Sequence, residues 1–166
     1  APTFLQEVLS RYEGTRLGRQ ELYAEILDDV EGALWNRQLI ENARVNAYPD
    51  LVRIVVGVDP AISSHETSAE TGIVAVGIDQ NGYGYVLDDR SVKGSPVEWA
   101  NSAIALYHRC SADRIVVEAN QGGDMVRHTL QTVESQIPIK MVHATRGKRT
   151  RAEPVSALYE QGKVFH

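Results

Sequence analysis

Two acidic residues close runs of β-branched residues: Asp59 in RIVVGVD and Glu118 in RIVVE. Taken singly, each has an ordinary structural explanation. An Asp before a proline, here Pro60, suits a turn, and Glu118 could cap a following helix. As a pair they mean more. If the strands they end are neighbours, about 4.8 Å apart, both carboxylates face one small volume. Two close carboxylates repel unless they share a proton or a cation. Oxygen donors of this kind suit Mg²⁺ or Mn²⁺.

The flanking segments add further candidates. Asn120-Gln121-Gly122-Gly123 follows Glu118 and is either a βα turn that needs glycine or a loop that lets backbone approach a substrate. Ser63, Ser64, His65 and Thr67 follow Asp59. They form either a solvated connection or, at His65, a substrate contact. Arg146, Lys148, Arg149 and Arg151 cluster in TRGKRTR, where a helix is expected to begin. Cations at a helix N-terminus oppose its dipole, which favours phosphate contact over a merely solvated face. The five histidines lack ligand spacing, Cys110 reads as a small apolar group, and Trp35 and Trp99 read as packing anchors. The chain contains no GxxxxGK[ST] phosphate loop.

The elements that must position these residues follow from periodicity. Arg53–Asp59 and Thr71–Ile78 are β-branched strands, joined through the Asn81-Gly82 turn signal to a third strand, Tyr83–Asp89. Ser95-Pro96 opens a helix to about Arg109. A fourth strand, Asp113–Glu118, a helix from Gly123 to about Glu134, a fifth strand, Ile137–His143, and a helix from Lys148 to Gln161 complete the series. The order βββαβαβα predicts an α/β fold: a ribonuclease H-like mixed five-stranded sheet, order 3-2-1-4-5, flanked by helices. In that order the first and fourth strands are adjacent, so Asp59 and Glu118 meet at the carboxyl ends of strands, where ligands tend to bind. Residues 1–48 lack strand signals and read as a helical linker or arm: Phe4, Leu5, Val8 and Leu9 recur at helical spacing up to the break at Glu13-Gly14-Thr15, and a second helix is expected at about 17–27; the sheet domain is expected over 49–166.

The chain has 166 residues, 43% of them hydrophobic and 23% charged, which suits one globular domain with an appendage. Its single cysteine excludes an internal disulfide and a cysteine-rich zinc site. A reducing, cytoplasmic setting is expected. No apolar run is long enough to span a bilayer, and the start, with Glu7, Arg11 and Glu13, does not read as a signal peptide. The net charge of −5 argues against a broad nucleic-acid-wrapping face. The charge is uneven, however. Residues 1–50 carry five basic and nine acidic groups, residues 51–145 seven and eleven, and residues 146–166 five and two. A local basic patch can contact phosphates on an otherwise acidic domain.

Four pieces, GTRLGRQELYAEILDDVEGALW, VGVDPA with the downstream ETGIVAVG, VVEANQGGDMV and KRTRAEPVSALYEQGKVFH, resemble the nuclease domain of the large terminase subunit of tailed bacteriophages. They occur in the family's order and cover the chain from about Gly14 to its end. The resemblance implies a two-metal endonuclease with a ribonuclease H-like fold that cuts concatemeric double-stranded viral DNA during packaging. It matches Asp59 and Glu118 to the first two metal-binding acids, residues 1–48 to the linker from the ATPase motor, and Arg151-Ala152-Glu153-Pro154 to the start of a late helix. It also implies a further metal-binding aspartate in a segment after the one matching YEQGKVFH. The chain is accordingly expected to be a fragment, truncated at the C-terminus, with an incomplete catalytic centre and weak activity.

The leading expectation is a metal-dependent DNA endonuclease with Asp59 and Glu118 as catalytic metal ligands for Mg²⁺ or Mn²⁺, two ions in the complete site. Arg146, Lys148, Arg149 and Arg151 are expected to grip the DNA backbone without reading sequence. The expected partners are double-stranded DNA, the ATPase domain of the same full-length protein, the small terminase subunit and the portal, in the host cytoplasm and without a membrane. Two alternatives stand beside it: a non-catalytic docking module of the packaging machine, and an actin-like or sugar-kinase-like ATPase domain.

Overall fold

The computed structural model describes residues 33–60, 70–119 and 122–166. The chain divides into two compact units, Ala1–Asn42 and Ala43–His166. The described part of the first contains helix α1 (Arg37–Asn42), whose start is capped by Asn36: its Oδ1 accepts from the Leu39 N–H at 2.7 Å. The helices expected before Glu13 and at about 17–27 lie outside the described residues, as do Ser63, Ser64, His65, Thr67, Asn120 and Gln121.

The second unit is built on one sheet. Its elements are β1 (Leu51–Asp59), β2 (Gly72–Asp79), β3 (Gly84–Asp89), α2 (Pro96–Arg109), β4 (Arg114–Glu118), α3 (Gly123–Val133), β5 (Ile139–Val142), α4 (Lys148–Glu160) and β6 (Val164–Phe165). The sheet order is β5-β4-β1-β2-β3-β6. β1, β2 and β3 run antiparallel in sequence, while β4 joins β1, and β5 joins β4, in parallel. The expected five-strand order is therefore present, in a ribonuclease H-like α/β fold. β6 extends it by pairing in parallel with β3 through Gly84–Val164 and Tyr85–Phe165. A two-residue strand has no periodicity to read. Its place comes from long-range contacts: Phe165 stacks on Tyr85 at 5.3 Å between ring centroids, and the His166 N–H donates to the Ala43 carbonyl at 3.0 Å.

The strand pattern alternates in burial because successive side chains point to opposite faces. Val56, Val58, Ile73, Ala75, Ile115 and Val117 are buried together on one face. Helices α2 and α3 supply the other half of that core, with Trp99, Ala100, Ala103, Ile104, Leu106, Val126 and Leu130. The α2 residues recur at helical spacing, so one stripe packs on the sheet. Its start is fixed by a capping box: the Glu98 N–H donates to Ser95 Oγ, and the Ser95 N–H donates to Glu98 Oε2 at 2.7 Å. Asp113 pins β4 to β1. Its carboxylate accepts from the Ile54 N–H at 2.8 Å, and its own N–H donates to the Ile54 carbonyl at 2.7 Å. Among the described residues no helix is long and apolar enough to cross a membrane.

Candidate active site

The register started at Asp113 carries through without a shift: Val55 pairs with Arg114, Val56 with Ile115, Gly57 with Val116 and Val58 with Val117. Paired residues on parallel strands share a face. Val58 and Val117 are both buried in the core, so the next residues, Asp59 and Glu118, both belong to the opposite face, on strands about 4.8 Å apart. The structure thus places the two acids side by side at the carboxyl ends of adjacent strands. Asp59 is 63% exposed and Glu118 is 24% exposed at their side chains.

Each acid meets a cation from the first turn of α4. Arg151 Nη1 donates to Glu118 Oε2 at 2.9 Å, and Lys148 Nζ lies 3.5 Å from Asp59 Oδ2. Lys148 and Arg151 are three residues apart and therefore share one side of the helix. Arg151 has a second contact: its Nε donates to the Arg146 carbonyl at 3.0 Å. Arg149 points elsewhere, 3.9 Å from Glu153 one turn on. The four basic residues expected to grip DNA are thus not equivalent. Two face the acids, one pairs within its own helix, and Arg146 contributes a backbone carbonyl.

This arrangement accounts for the cationic start of α4. No side chain caps the helix at Gly147, and Lys148, Arg149 and Arg151 would by themselves oppose the dipole. The carboxylates of Asp59 and Glu118 supply the negative charge that such a helix end favours. The sequence showed the cationic run itself, but not that Lys148 and Arg151 would face Asp59 and Glu118.

The glycines after Glu118 have structural reasons. Gly122 adopts φ of +65°, a left-handed conformation that other residues adopt at a cost. A Cβ on Gly123 would stand 2.7 Å from the Ala119 Cβ and 2.9 Å from the Met141 Cε. These positions turn the chain from β4 into α3 and pack it against β5. Asp124, in the first turn of α3, is exposed. Asp79 stands away from the site, at the Leu51 end of β1. His108 pairs with Glu134 at 2.7 Å, joining the end of α2 to the end of α3, and Trp99 is core.

The donor set fits a divalent cation. Two carboxylates on one face of adjacent strand ends offer the hard oxygen ligands that Mg²⁺ or Mn²⁺ requires. Among the described residues, no group of three or more acidic, histidine or cysteine side chains is gathered at one point. Among the described residues, Asp59 and Glu118 would supply two of the ligands that such an ion needs.

Comparison with known proteins agrees with this architecture. A family profile described as the terminase RNaseH-like domain matches residues 56–166. Among solved structures, the human cytomegalovirus terminase nuclease domain superposes with a TM-score of 0.53 at 21% identity, over 78% of this chain and 73% of that one. The HK97 bacteriophage large terminase gives 0.60 at 11% identity, over 81% of this chain and 34% of that one. This chain therefore spans about a third of the HK97 protein. The nuclease domain of the large terminase subunit of bacterial virus Sf6 gives 0.52 at 17% identity, over 76% and 54%. Curated protein sequences give no match. At these identities the structures speak to the fold, and the family is carried by the profile match over most of the chain: this protein belongs to the terminase RNase H-like domain family.

Proposed function

We propose that this chain is the metal-dependent endonuclease domain of a viral DNA-packaging large terminase subunit. Its reaction is hydrolysis of phosphodiester bonds in concatemeric double-stranded DNA by the two-metal route. One observation carries the reading: in a terminase RNase H-like fold, Asp59 and Glu118 share one face at the ends of β1 and β4. These two carboxylates would hold Mg²⁺ or Mn²⁺. A form of the Sf6 domain was solved with manganese. When bound, such ions activate a water and stabilise the leaving oxygen.

The chain's own residues have defined tasks. Asp59 and Glu118 orient oxygen donors toward the ions, and the Asp113–Ile54 contacts keep their strands in register. Arg146, Lys148, Arg149 and Arg151 contact DNA phosphates and fix the duplex without reading bases. Residues 1–48 connect this domain to an ATPase motor in the full-length protein. The small terminase subunit and the portal are its assembly partners, in the host cytoplasm.

A plasmid assay tests the reading. Weak Mg²⁺- or Mn²⁺-dependent nicking is expected for the chain, and both Asp59→Asn and Glu118→Gln should lower it by more than about 100-fold, beyond the loss that follows removal of a group merely supporting a ligand. Asp59 is exposed, so Asp59→Asn should leave stability within about 0.5 kcal/mol. Cleavage that survives both substitutions would remove the acids from the mechanism. Failure of the unaltered chain both to bind Mn²⁺ and to cleave would favour the docking-module alternative.

A further inference from the structure

Arg151 is asked for two incompatible services. It neutralises Glu118, and it belongs to the basic run that should grip phosphates. We propose that Arg151 is a displaceable counter-ion: it holds Glu118 while the site is without its ion, and passes to a DNA phosphate as a divalent cation arrives. The inference rests on the reading of Asp59 and Glu118 as metal ligands.

The geometry distinguishes Arg151 from its neighbour Lys148. The Lys148–Asp59 pair is long, 3.5 Å, with side chains 84% and 63% exposed, so solvent screens it heavily. The Arg151–Glu118 pair is 2.9 Å, with side chains 37% and 24% exposed. A charge-assisted bond in that setting is the stronger of the two. A divalent ion on Glu118 competes for the same oxygen and repels the guanidinium. A phosphate offers the released group oxygens spaced to accept from the planar guanidinium fork. The guanidinium does not have to swing free, because its Nε stays bonded to the Arg146 carbonyl. Only the Nη1 edge changes partner.

The consequence is a coupling between metal and DNA. Each ligand breaks the Arg151–Glu118 pair, so whichever binds first lowers the cost for the other. By linkage, DNA raises metal affinity by the same factor as metal raises DNA affinity. The site would then fill its metal preferentially when a duplex is in place.

The test uses the 166-residue chain and two binding measurements. Mn²⁺ affinity is measured by titration without DNA. The affinity for a short labelled duplex is measured with and without Ca²⁺, whose looser coordination suits binding measurements. Removing the competing charge with Arg151→Ala should tighten Mn²⁺ binding about two- to five-fold, the scale of a partly exposed ion pair. It should also erase the Ca²⁺-dependent gain in DNA affinity. If the Ala variant does not fold, Arg151→Gln carries the same test, because it loses the charge and keeps a donor. Weaker or unchanged Mn²⁺ binding, as expected if Arg151 merely orients Glu118, would overturn the proposal, as would a coupling that survives the substitution. Glu118→Gln separates this failure from a deeper one. If it leaves Mn²⁺ binding unaltered, Glu118 is not a ligand, and the proposed site falls together with the exchange.

Discussion

Asp59 and Asp79 each close a β-branched strand, yet they lie at opposite ends of the same ladder: Asp59 stands across from Gly72, and Asp79 across from Leu51. The antiparallel pairing of β1 with β2 produces this separation. Over the nine residues of β1 it amounts to roughly 26 Å at about 3.3 Å per residue. Their surroundings differ accordingly. Asp79 is buried, and its Oδ1 accepts from the N–H groups of Asn81 and Tyr83, both at 2.9 Å. It shapes the β2–β3 turn, whereas Asp59 is open to solvent.

Asp79 should therefore behave as a structural carboxylate. Asp79→Ala leaves two turn N–H groups to find other partners and should cost on the order of 1 kcal/mol. Tyr85 reports on the same contact. Burial, and then the neighbouring Asp79 charge and hydrogen bond, raise its phenol above the ordinary value. In the variant Tyr85 should ionise at lower pH, seen as earlier phenolate absorbance in an alkaline titration, while Mn²⁺ affinity stays at the wild-type value. A loss of Mn²⁺ binding would place Asp79 in the metal site and contradict the separation set by the sheet.

Gly123 should be intolerant of a side chain. The Met141 Cε can swing aside, but the Ala119 Cβ, 2.7 Å from a new Cβ, moves only with the backbone that follows Glu118. Gly123→Ala is expected to destabilise by about 1–3 kcal/mol, the usual range for overpacking. Urea denaturation measures this directly. An unaffected midpoint would mean that the β4–α3 turn relaxes freely, and that Glu118 is less firmly placed than its register implies.

Much of this was legible in the residues themselves. The β-branched runs ending at Asp59 and Glu118 gave the strands, and the sheet order made them neighbours, because a three-strand meander followed by crossovers leaves few arrangements. Val164–Phe165 was not legible, since two residues carry no alternation and their strand exists only through Gly84 and Tyr85. Nor was the docking of α4. The run from Arg146 to Arg151 announces a cationic surface, but which cation turns toward which acid depends on how the helix is set down. Sequence periodicity says nothing of that. The Gly122-Gly123 pair was ambiguous for a related reason: φ and close packing, not composition, decide why glycine is needed there.

The α2 capping box gives a pH prediction. The Ser95 backbone N–H, and then its hydroxyl, hold the Glu98 carboxyl below its ordinary value of 4.5. A depressed carboxyl contributes stability that is complete above the unfolded value and is lost as pH falls through the folded one. Glu98→Gln should therefore be less stable than wild type near neutrality, and the gap should close as the pH drops below about 4.5. Paired thermal melts across that range test it. A gap that widens on acidification would contradict the assigned hydrogen bonds.

The basic start of α4 makes a last prediction, on salt. Phosphate contacts release counter-ions, so DNA affinity should fall linearly on logarithmic axes with a slope of about 0.9 per phosphate neutralised. Without a divalent ion, Arg151 and Lys148 face Glu118 and Asp59, and Arg149 leans on Glu153. The slope should then be shallow. With Ca²⁺ on the acids, Arg151 becomes available, and the slope should steepen by about 0.9 for every additional phosphate it neutralises. Replacing Arg146, Lys148, Arg149 and Arg151 by alanine should flatten the slope in Ca²⁺ most. The effect should be the same on duplexes of different sequence, since backbone contacts carry no base information. The measurement is duplex affinity against salt, for wild type and the fourfold variant, with and without Ca²⁺. Equal slopes for the two proteins in Ca²⁺ would return the whole run to a solvated face whose cations serve only to balance Asp59 and Glu118.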